Sequence, residues 1–105
     1  MKYWDVTFLP DAVRDREELV VSARNQIDKA IRKVSQNPLP KSEGGFGNPL
    51  GNKQGRNLTG LLKIKLKKLG IRIVYKLVRS KETMQIIVIA ARADSAVYEI
   101  AEKRM

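Results

Sequence analysis

Cysteine and histidine are both missing from the 105-residue sequence, and their absence removes several classes of functional site. Without cysteine there is no disulfide framework and no thiol nucleophile, which suits a reducing compartment. Without histidine there is neither the usual proton shuttle near neutral pH nor the commonest zinc ligand. We therefore expect no metal and no cofactor, and any acid–base chemistry must use Lys, Arg, Tyr, Asp, Glu or a substrate group.

Long apolar runs are missing as well. The longest uncharged stretch rich in apolar residues, residues 84–91, is far shorter than the roughly 20 residues of a membrane-spanning helix. The N-terminus contains Asp5 and lacks the apolar segment of a signal peptide. We expect a cytoplasmic protein without membrane association. The length and the 43% hydrophobic content predict one globular domain over residues 1–105.

Positive charge is in excess, and the excess is concentrated in the middle of the chain. The formal net charge is +10. Residues 38–82 hold eleven of the 21 basic residues but two of the 11 acidic residues, while the flanking segments are nearly balanced. A concentrated positive field attracts polyanions, first phosphate backbones and then anionic membranes. A basic surface kept only for solubility would not require such clustering.

Residues 61–75, LLKIKLKKLGIRIVY, alternate as two β-strands joined by a tight turn at residues 68–70. Arg72 follows among the polar positions of the second strand. The first strand carries three lysines on one face and three apolar residues on the other: Lys63, Lys65 and Lys67 against Leu62, Ile64 and Leu66. The sequence therefore predicts a hairpin with a cationic face and an apolar face.

The remaining segments predict the rest of an α+β fold. Residues 3–8 favour a strand that ends before Pro10, and Asp11 is a candidate N-cap. Apolar spacing predicts helix up to residue 37, with a break near residues 19–22 that indicates a helical hairpin or one bent helix. The stretch 38–57, with five glycines and three prolines, predicts a long loop. Its glycines loosely resemble a nucleotide-binding loop, but no GK[ST] follows and a strand comes next.

Residues 84–91 lack alternation, which predicts a central strand covered on both faces. Asp94 is a candidate N-cap for a last helix over residues 96–104. The predicted order is β-α-α-β-β-β-α, an antiparallel four-stranded sheet with an N-terminal helical hairpin and a C-terminal helix. The hairpin-length turns favour a meander with the helices on one face.

This topology brings candidate functional residues toward one surface. Such a surface could hold phosphates by charge and stack a base on an aromatic ring. RNA supplies its own nucleophile, the 2′-OH, so a ribonuclease built here would need no metal. Mutual repulsion in a lysine cluster favours a neutral amine, which can act as a general base, and arginines can stabilise the phosphorane charge. The candidates are Lys63, Lys65, Lys67, Arg72, Arg92 and Tyr98.

Each candidate also has an ordinary structural interpretation. Strand lysines often form only a solvated face or protect a sheet edge. Tyr98 on an amphipathic helix can be a core aromatic, and Arg92 can pair with Asp94 or Glu99. Composition and spacing by themselves therefore predict a basic α+β domain that binds nucleic acid.

Taken in order, the elements and residues resemble the RelE/ParE toxin superfamily of type II toxin–antitoxin systems. Four segments carry the resemblance along nearly the whole chain: YWDVTFLPDA at 3–12, NPLGNKQGRNLTGLLKIKL at 48–66, GIRIVYKL at 70–77 and IAARADSAVYEIAEKR at 89–104. No single segment is very specific, but their order is. The pattern is most similar to the RelE branch, whose members are endoribonucleases that cleave messenger RNA in the ribosomal A site.

The resemblance implies a base role for a strand lysine, charge or leaving-group support by arginines, and nucleobase stacking by a tyrosine. The catalytic positions it implies are Lys63, Lys65, Arg72, Arg92 and Tyr98, with further RNA or phosphate contacts expected at Lys67, Lys68, Lys53 and Arg56. It also implies three partners: a cognate acidic antitoxin, the ribosome and messenger RNA.

Three features depart from the family pattern. Lys67 stands where RelE-like members often have arginine, and Asp94 stands near Arg92 where a further basic residue can occur. The glycine-rich loop is longer than usual. Two alternatives therefore stay open: a ParE-like inhibitor of DNA gyrase without enzymatic activity, and a basic RNA-binding module without toxicity.

Overall fold

The computed structural model describes residues 3–53 and 56–105, without the side chains of residues 52, 53, 56 and 57. No helix in these two ranges is long and apolar enough to span a membrane. In chain order the described elements are β1 (Asp5–Phe8), α1 (Pro10–Glu17), α2 (Val21–Ser35), β2 (Asn48–Lys53), β3 (Arg56–Leu66), β4 (Ile71–Val78), β5 (Thr83–Ala90) and α3 (Asp94–Arg104).

The helical hairpin predicted near the N-terminus is present as α1 and α2, separated at residues 18–20. Its start differs from the prediction, because Leu9 rather than Asp11 is the N-cap and Pro10 is the first helical residue. Proline suits that position, since its fixed φ matches the helix and its missing N–H would have no partner there. The N-cap of α3 is likewise Ala93, and Asp94 lies inside the first turn.

The sheet has five strands rather than the predicted four, in the order β1-β5-β4-β3-β2. The additional strand, β2, lies inside the predicted loop 38–57 and pairs antiparallel with β3. This strand was not predicted, because Pro49 and Gly51 are residue types that strands usually lack. Both are tolerated because β2 is an edge strand, and its register shifts between these two residues.

The predicted meander is present in β2 to β5, which pair antiparallel in sequence order. The prediction of a wholly antiparallel sheet is wrong at β1, which pairs parallel with β5 from Asp5 opposite Thr83 to Phe8 opposite Ile86. Parallel pairing requires a crossover, and here the intervening chain from α1 to β4 supplies it.

Helices cover both faces of the sheet, so the predicted one-face arrangement is wrong. Ile73 and Tyr75 of β4 belong to a core cluster with α1 and α2, whereas Val74 between them belongs to a cluster with α3. Alternate residues of a strand point to opposite faces, so a strand with three consecutive buried residues must be covered twice. The prediction that β5 is covered on both faces is confirmed by Ile86 and Val88, which lie in different clusters.

The last turn of α3 is fixed to α1 and β5 by a cluster around Asp15 and Arg104. Arg104 Nη1 lies 2.7 Å from Asp15 Oδ2 and donates to the carbonyl of Ile87 at 3.0 Å. The same carboxylate accepts from the backbone N–H of Ile89 at 3.0 Å. We call Asp15, Arg104 and these two backbone groups the anchor cluster.

Part of the predicted loop is held against the sheet by Tyr75. Its hydroxyl donates to the carbonyl of Pro38 at 2.8 Å, and burial raises the pKa of this phenol. Gly47 lies against the same ring, because a Cβ at this position would stand 2.6 Å from the Tyr75 hydroxyl and 2.4 Å from Leu62. The segment leading into β2 is therefore positioned by the β3–β4 hairpin.

Candidate nucleic-acid interface

The α3 side of strand β3 carries the two lysines that the alternation placed there. Leu62 and Ile64 pack into the cluster of α1 and α2, so Lys63 and Lys65 face the opposite side. Lys63 Nζ donates to the Tyr98 hydroxyl at 3.0 Å and lies 5.7 Å from the centre of that ring. The hydrogen bond and the cation–π contact fix the Lys63 ammonium beside α3.

Arg72 lies directly opposite Lys65 across the β3–β4 pair, so the two side chains share one face of the sheet. Its guanidinium forms three contacts. Nε donates to the carboxylate of Asp94, and Nη1 donates to the backbone carbonyls of Arg92 at 2.7 Å and Gly70 at 3.4 Å. Arg72 is therefore held between the β3–β4 turn and the start of α3.

Asp94 is the acidic member of this group. One oxygen accepts from Arg72, and the other lies 3.8 Å from Lys63 Nζ. Burial raises the pKa of the Asp94 carboxyl, but the hydrogen bond from Arg72 and the charges of Lys63, Arg72 and Lys65 outweigh it, so the net pKa is lowered. The carboxylate is therefore ionised at neutral pH and neutralises part of the local positive charge.

Lys65 and Arg92 are the exposed cations of the group. Within residues 3–53 and 56–105, neither side chain forms a hydrogen bond or an ion pair. Lys63, Arg72 and Lys65 thus act on one carboxylate, and the backbone carbonyl of Arg92 joins the group. Lys65 is open to an anionic ligand, and the exposed Arg92 lines a cavity with Asp15 and Arg104. We call Lys63, Lys65, Arg72, Arg92, Asp94 and Tyr98 the cationic cluster.

Tyr98 does not present its ring to solvent in this arrangement. The residue is only 3% exposed and lies in the core cluster with Val74 and Val97. Its ring is therefore unavailable for base stacking here, in agreement with the structural interpretation of a core aromatic. Only the hydroxyl reaches the cationic cluster, where it orients Lys63.

Of the other predicted contacts, Lys67 lies outside the strand on which the alternation placed it. Strand β3 ends at Leu66, and Lys67 begins the turn that reaches Gly70. Lys67, Lys68 and Lys65 line a surface cavity of about 480 Å³ next to Gln26 of α2. These lysines extend the positive surface from the cationic cluster toward the end of the hairpin.

Lys53 and Arg56 were predicted as further phosphate contacts, and their side chains lie outside the described residues. Their backbones pair with each other at the end of the β2–β3 hairpin. The role of Asp94 as the partner of Arg72 was missed, since the sequence pointed only to its neighbour Arg92. The pairing of the strands could have indicated this contact. Arg72 pairs with Ala90, and Asp94 follows Ala90 by four residues, at the start of a helix that returns over β4.

The arrangement suits phosphate binding more than metal chemistry. Among the described residues, no group of three or more acidic, histidine or cysteine side chains could hold a metal ion. Lys65 and Arg92 offer unengaged cationic donors, and Arg72 lies between them with its guanidinium fixed. Such fixed cations can bind a phosphate and stabilise negative charge that develops on it.

Comparison with known proteins supports the family predicted from the sequence. No family model matches the sequence. An Escherichia coli protein described as a RelE-like toxin is 27% identical over 106 residues, covering 100% of this chain and 99% of that protein. A double arginine-to-alanine variant of the E. coli toxin RelE in the free state superposes with a TM-score of 0.78 at 26% identity, covering 99% of both chains.

Complexes with antitoxins contain the same fold. The E. coli RelE variant bound to a peptide of the antitoxin RelB matches with a TM-score of 0.72 at 26% identity, covering 99% of both chains. The RelBE toxin–antitoxin complex from Mycobacterium tuberculosis matches with a TM-score of 0.69 at 24% identity, covering 90% of this chain and 97% of that one. Sequence and structure thus confirm the predicted resemblance to the RelE superfamily.

Proposed function

We propose that this protein is the toxin of a type II toxin–antitoxin system and that it cleaves messenger RNA in the A site of the ribosome. The observation that supports this most is the cationic cluster, in which Lys63, Lys65 and Arg72 gather beside the Arg92 backbone on a RelE-like fold without any histidine. The ribosome would orient the message against this cluster.

The chemistry is that of a metal-independent endoribonuclease. The 2′-oxygen attacks the adjacent phosphorus, the bond from phosphorus to the 5′-oxygen breaks, and a 2′,3′-cyclic phosphate is left on the upstream fragment. Lys65 takes the proton of the 2′-OH, because its side chain is exposed and forms no hydrogen bond with the described residues. The departing 5′-oxygen receives a proton from solvent.

The other members of the cluster assist this step without taking its proton. Arg72 and Arg92 neutralise the charge that builds on the phosphorane, a role that suits a guanidinium better than proton transfer does. Lys63 adds a fixed positive charge, and Tyr98 keeps it in place through the 3.0 Å hydrogen bond. Stacking of a nucleobase on Tyr98 would require its ring to leave the α3 core cluster.

A cognate antitoxin with an acidic segment is the proposed protein partner. Such a segment would cover the exposed cations Lys65 and Arg92 and the lysine-lined cavity at residues 65–68. Charge complementarity of this kind favours fast and specific association. Neutralisation would then follow from occupying the surface that RNA needs.

A ParE-like inhibitor of DNA gyrase is the second candidate. The observation in its favour is Asp94, which occupies Arg72 and reduces the charge available for catalysis. The gathering of Lys63, Lys65 and Arg72 on one face of the sheet favours the ribonuclease over this alternative.

The two functions are separated by inducing the protein in cells, mapping the 5′ ends of messages and assaying DNA supercoiling in parallel. We expect growth arrest with new 5′ ends inside translated codons and unchanged supercoiling. Arg92→Ala should relieve the arrest. Arg32→Ala, which removes an exposed arginine from α2 on the other side of the sheet, should leave it intact.

Arrest that persists in Arg92→Ala at equal protein levels would contradict the assignment of this residue. Altered supercoiling without new 5′ ends would contradict the ribonuclease and support gyrase as the target. The RNA-binding module without toxicity corresponds to a protein that binds RNA in a salt-dependent way and leaves growth unaffected.

A further inference from the structure

Asp94 places a negative charge in the middle of the surface that is proposed to bind phosphate. The proposed function places RNA phosphates among Lys63, Lys65, Arg72 and Arg92. Asp94 bonds to Arg72 and lies 3.8 Å from Lys63, so it occupies two of these four cations. A bound phosphate would have to share or replace these contacts.

Asp94 has no separate role in capping its helix. The N-cap of α3 is Ala93, and it makes no side-chain hydrogen bond. The described contacts of the Asp94 carboxylate are those with Arg72 and Lys63, both of which are cationic. Its oxygens therefore contact the cationic cluster and form no cap, although the charge also lies in the first turn of α3, where the helix dipole favours an acid.

The contact with Arg72 uses the donor edge that anions prefer. A guanidinium binds carboxylate and phosphate through the same planar array of N–H groups. Asp94 takes Nε, while Nη1 is committed to the carbonyls of Arg92 and Gly70. A phosphate that approaches Arg72 is thus left with a smaller set of donors and meets a negative charge beside them.

The position is also accessible to a ligand. The Asp94 side chain is 35% exposed, compared with 17% for Arg72, so the carboxylate is the more accessible member of the pair.

We propose that Asp94 acts as an internal phosphate mimic, which competes with RNA for Arg72 and Lys63 and so weakens RNA binding. This inference rests on the proposed RNA-cleaving function. Removing the carboxylate charge should free both cations and strengthen the binding of single-stranded RNA.

The test uses the full chain and a short fluorescent single-stranded oligoribonucleotide, with affinity measured by anisotropy at several salt concentrations. Asp94→Asn keeps the size and a hydrogen-bond acceptor for Arg72 but removes the charge. We expect its affinity at low salt to rise by about threefold, in line with one partly exposed ion pair. The slope of log K against log salt should steepen by about 0.7 for one additional phosphate contact.

Two variants control for net charge and for geometry. Asp5→Asn changes the net charge equally, but Asp5 pairs with the first residue of β5 whereas Arg72 pairs with its last, about 23 Å away at roughly 3.3 Å per residue. At that distance its effect should be screened and remain below about 1.5-fold. Asp94→Glu keeps the charge and should bind RNA as the wild type does.

The outcomes separate this inference from the function on which it rests. If Asp94→Asn and Asp5→Asn bind RNA equally, or if Asp94→Asn binds more weakly than the wild type, competition by Asp94 is contradicted while RNA binding stands. If neither the wild type nor any variant binds RNA, the competition is contradicted, and the mapping of message 5′ ends decides the proposed function separately. Unfolding curves for each variant establish that the proteins compared are folded.

Discussion

Two ion-pair clusters hold the two ends of α3 against the sheet, and they differ in their balance of charge. The anchor cluster joins the last turn of α3 to α1 and β5 through Arg104 and Asp15. The cationic cluster joins the first turn of α3 to β3 and β4 through Asp94, Arg72 and Lys63. Both therefore tie the same helix to the sheet.

In the anchor cluster the charges and hydrogen bonds are matched. Asp15 accepts from Arg104 and from the N–H of Ile89, and Arg104 also donates to the carbonyl of Ile87. Its side chains are 17% and 19% exposed. In the cationic cluster one carboxylate faces three cations, Lys63, Arg72 and Lys65, and Lys65 and the neighbouring Arg92 are exposed. A matched cluster stabilises the fold, whereas an unmatched one retains charge for a ligand.

The largest expected effect concerns the unmatched cluster. Lys65→Ala removes the proposed base, so the rate of message cleavage on purified ribosomes should fall at least about 100-fold. The free energy of unfolding should change by less than about 0.5 kcal/mol, because the side chain is exposed.

Lys29→Ala provides the matched control, since it removes an exposed lysine from α2. It should leave the cleavage rate unchanged. Equal loss of activity in both lysine variants would show that cleavage depends on overall charge and not on this position.

The next effect concerns the matched cluster. Asp15→Asn keeps the shape of the side chain but leaves Arg104 with only the more distant carboxylate of Asp11, 3.7 Å from its Nε. We expect a loss of about 2 kcal/mol in the free energy of unfolding, below the range for fully buried pairs because both groups are partly exposed. Urea unfolding measures it, and Asp28→Asn, whose partner Arg16 forms a more exposed pair, should cost less. A loss no larger than that of Asp28→Asn would contradict an anchoring role.

The smallest effect is the acid dependence of the unmatched cluster. The pKa of Asp94 is lowered in the native state, so the unfolded chain takes up a proton first as the pH falls. The stabilisation is present above the unfolded pKa of about 4 and is lost as the pH falls through the lower native value. Asp94→Asn should therefore cost less than about 1 kcal/mol at neutral pH, with the difference from wild type vanishing in acid.

Unfolding of both proteins from neutral to strongly acidic pH would measure this. A difference that persists unchanged below the native pKa would show that the Asp94 charge does not stabilise the fold.

Local patterns in the sequence predicted much of the fold. Alternation of Leu62, Lys63 and Ile64 assigned their faces on β3, and the apolar spacing of α2 gave that helix, because both signals depend on neighbouring residues only. Parallel pairing of β1 with β5 and the edge strand β2 were not predicted. Both depend on contacts between distant segments, and Pro49 and Gly51 disguised the second.

The sequence predicted which residues form the candidate site, but it did not predict which of them contact each other. Lys63, Lys65 and Arg72 lie together, as the order of the strands implies, and Arg92 reaches them through its backbone carbonyl. The burial of Tyr98 and the bond from Arg72 to Asp94 follow from α3 lying on its own face of the sheet, opposite α1 and α2. No local pattern encodes which face of a sheet a terminal helix covers.

The most direct test of the central claim measures ribosomal cleavage and unfolding free energy together for Lys65→Ala and Asp15→Asn. A functional cationic cluster and a structural anchor cluster predict opposite profiles. Lys65→Ala should lose cleavage and keep its stability, and Asp15→Asn should lose stability yet cleave as the wild type does at a temperature where it is folded. Undiminished cleavage by Lys65→Ala, or loss of cleavage by folded Asp15→Asn, would contradict the division between the two clusters.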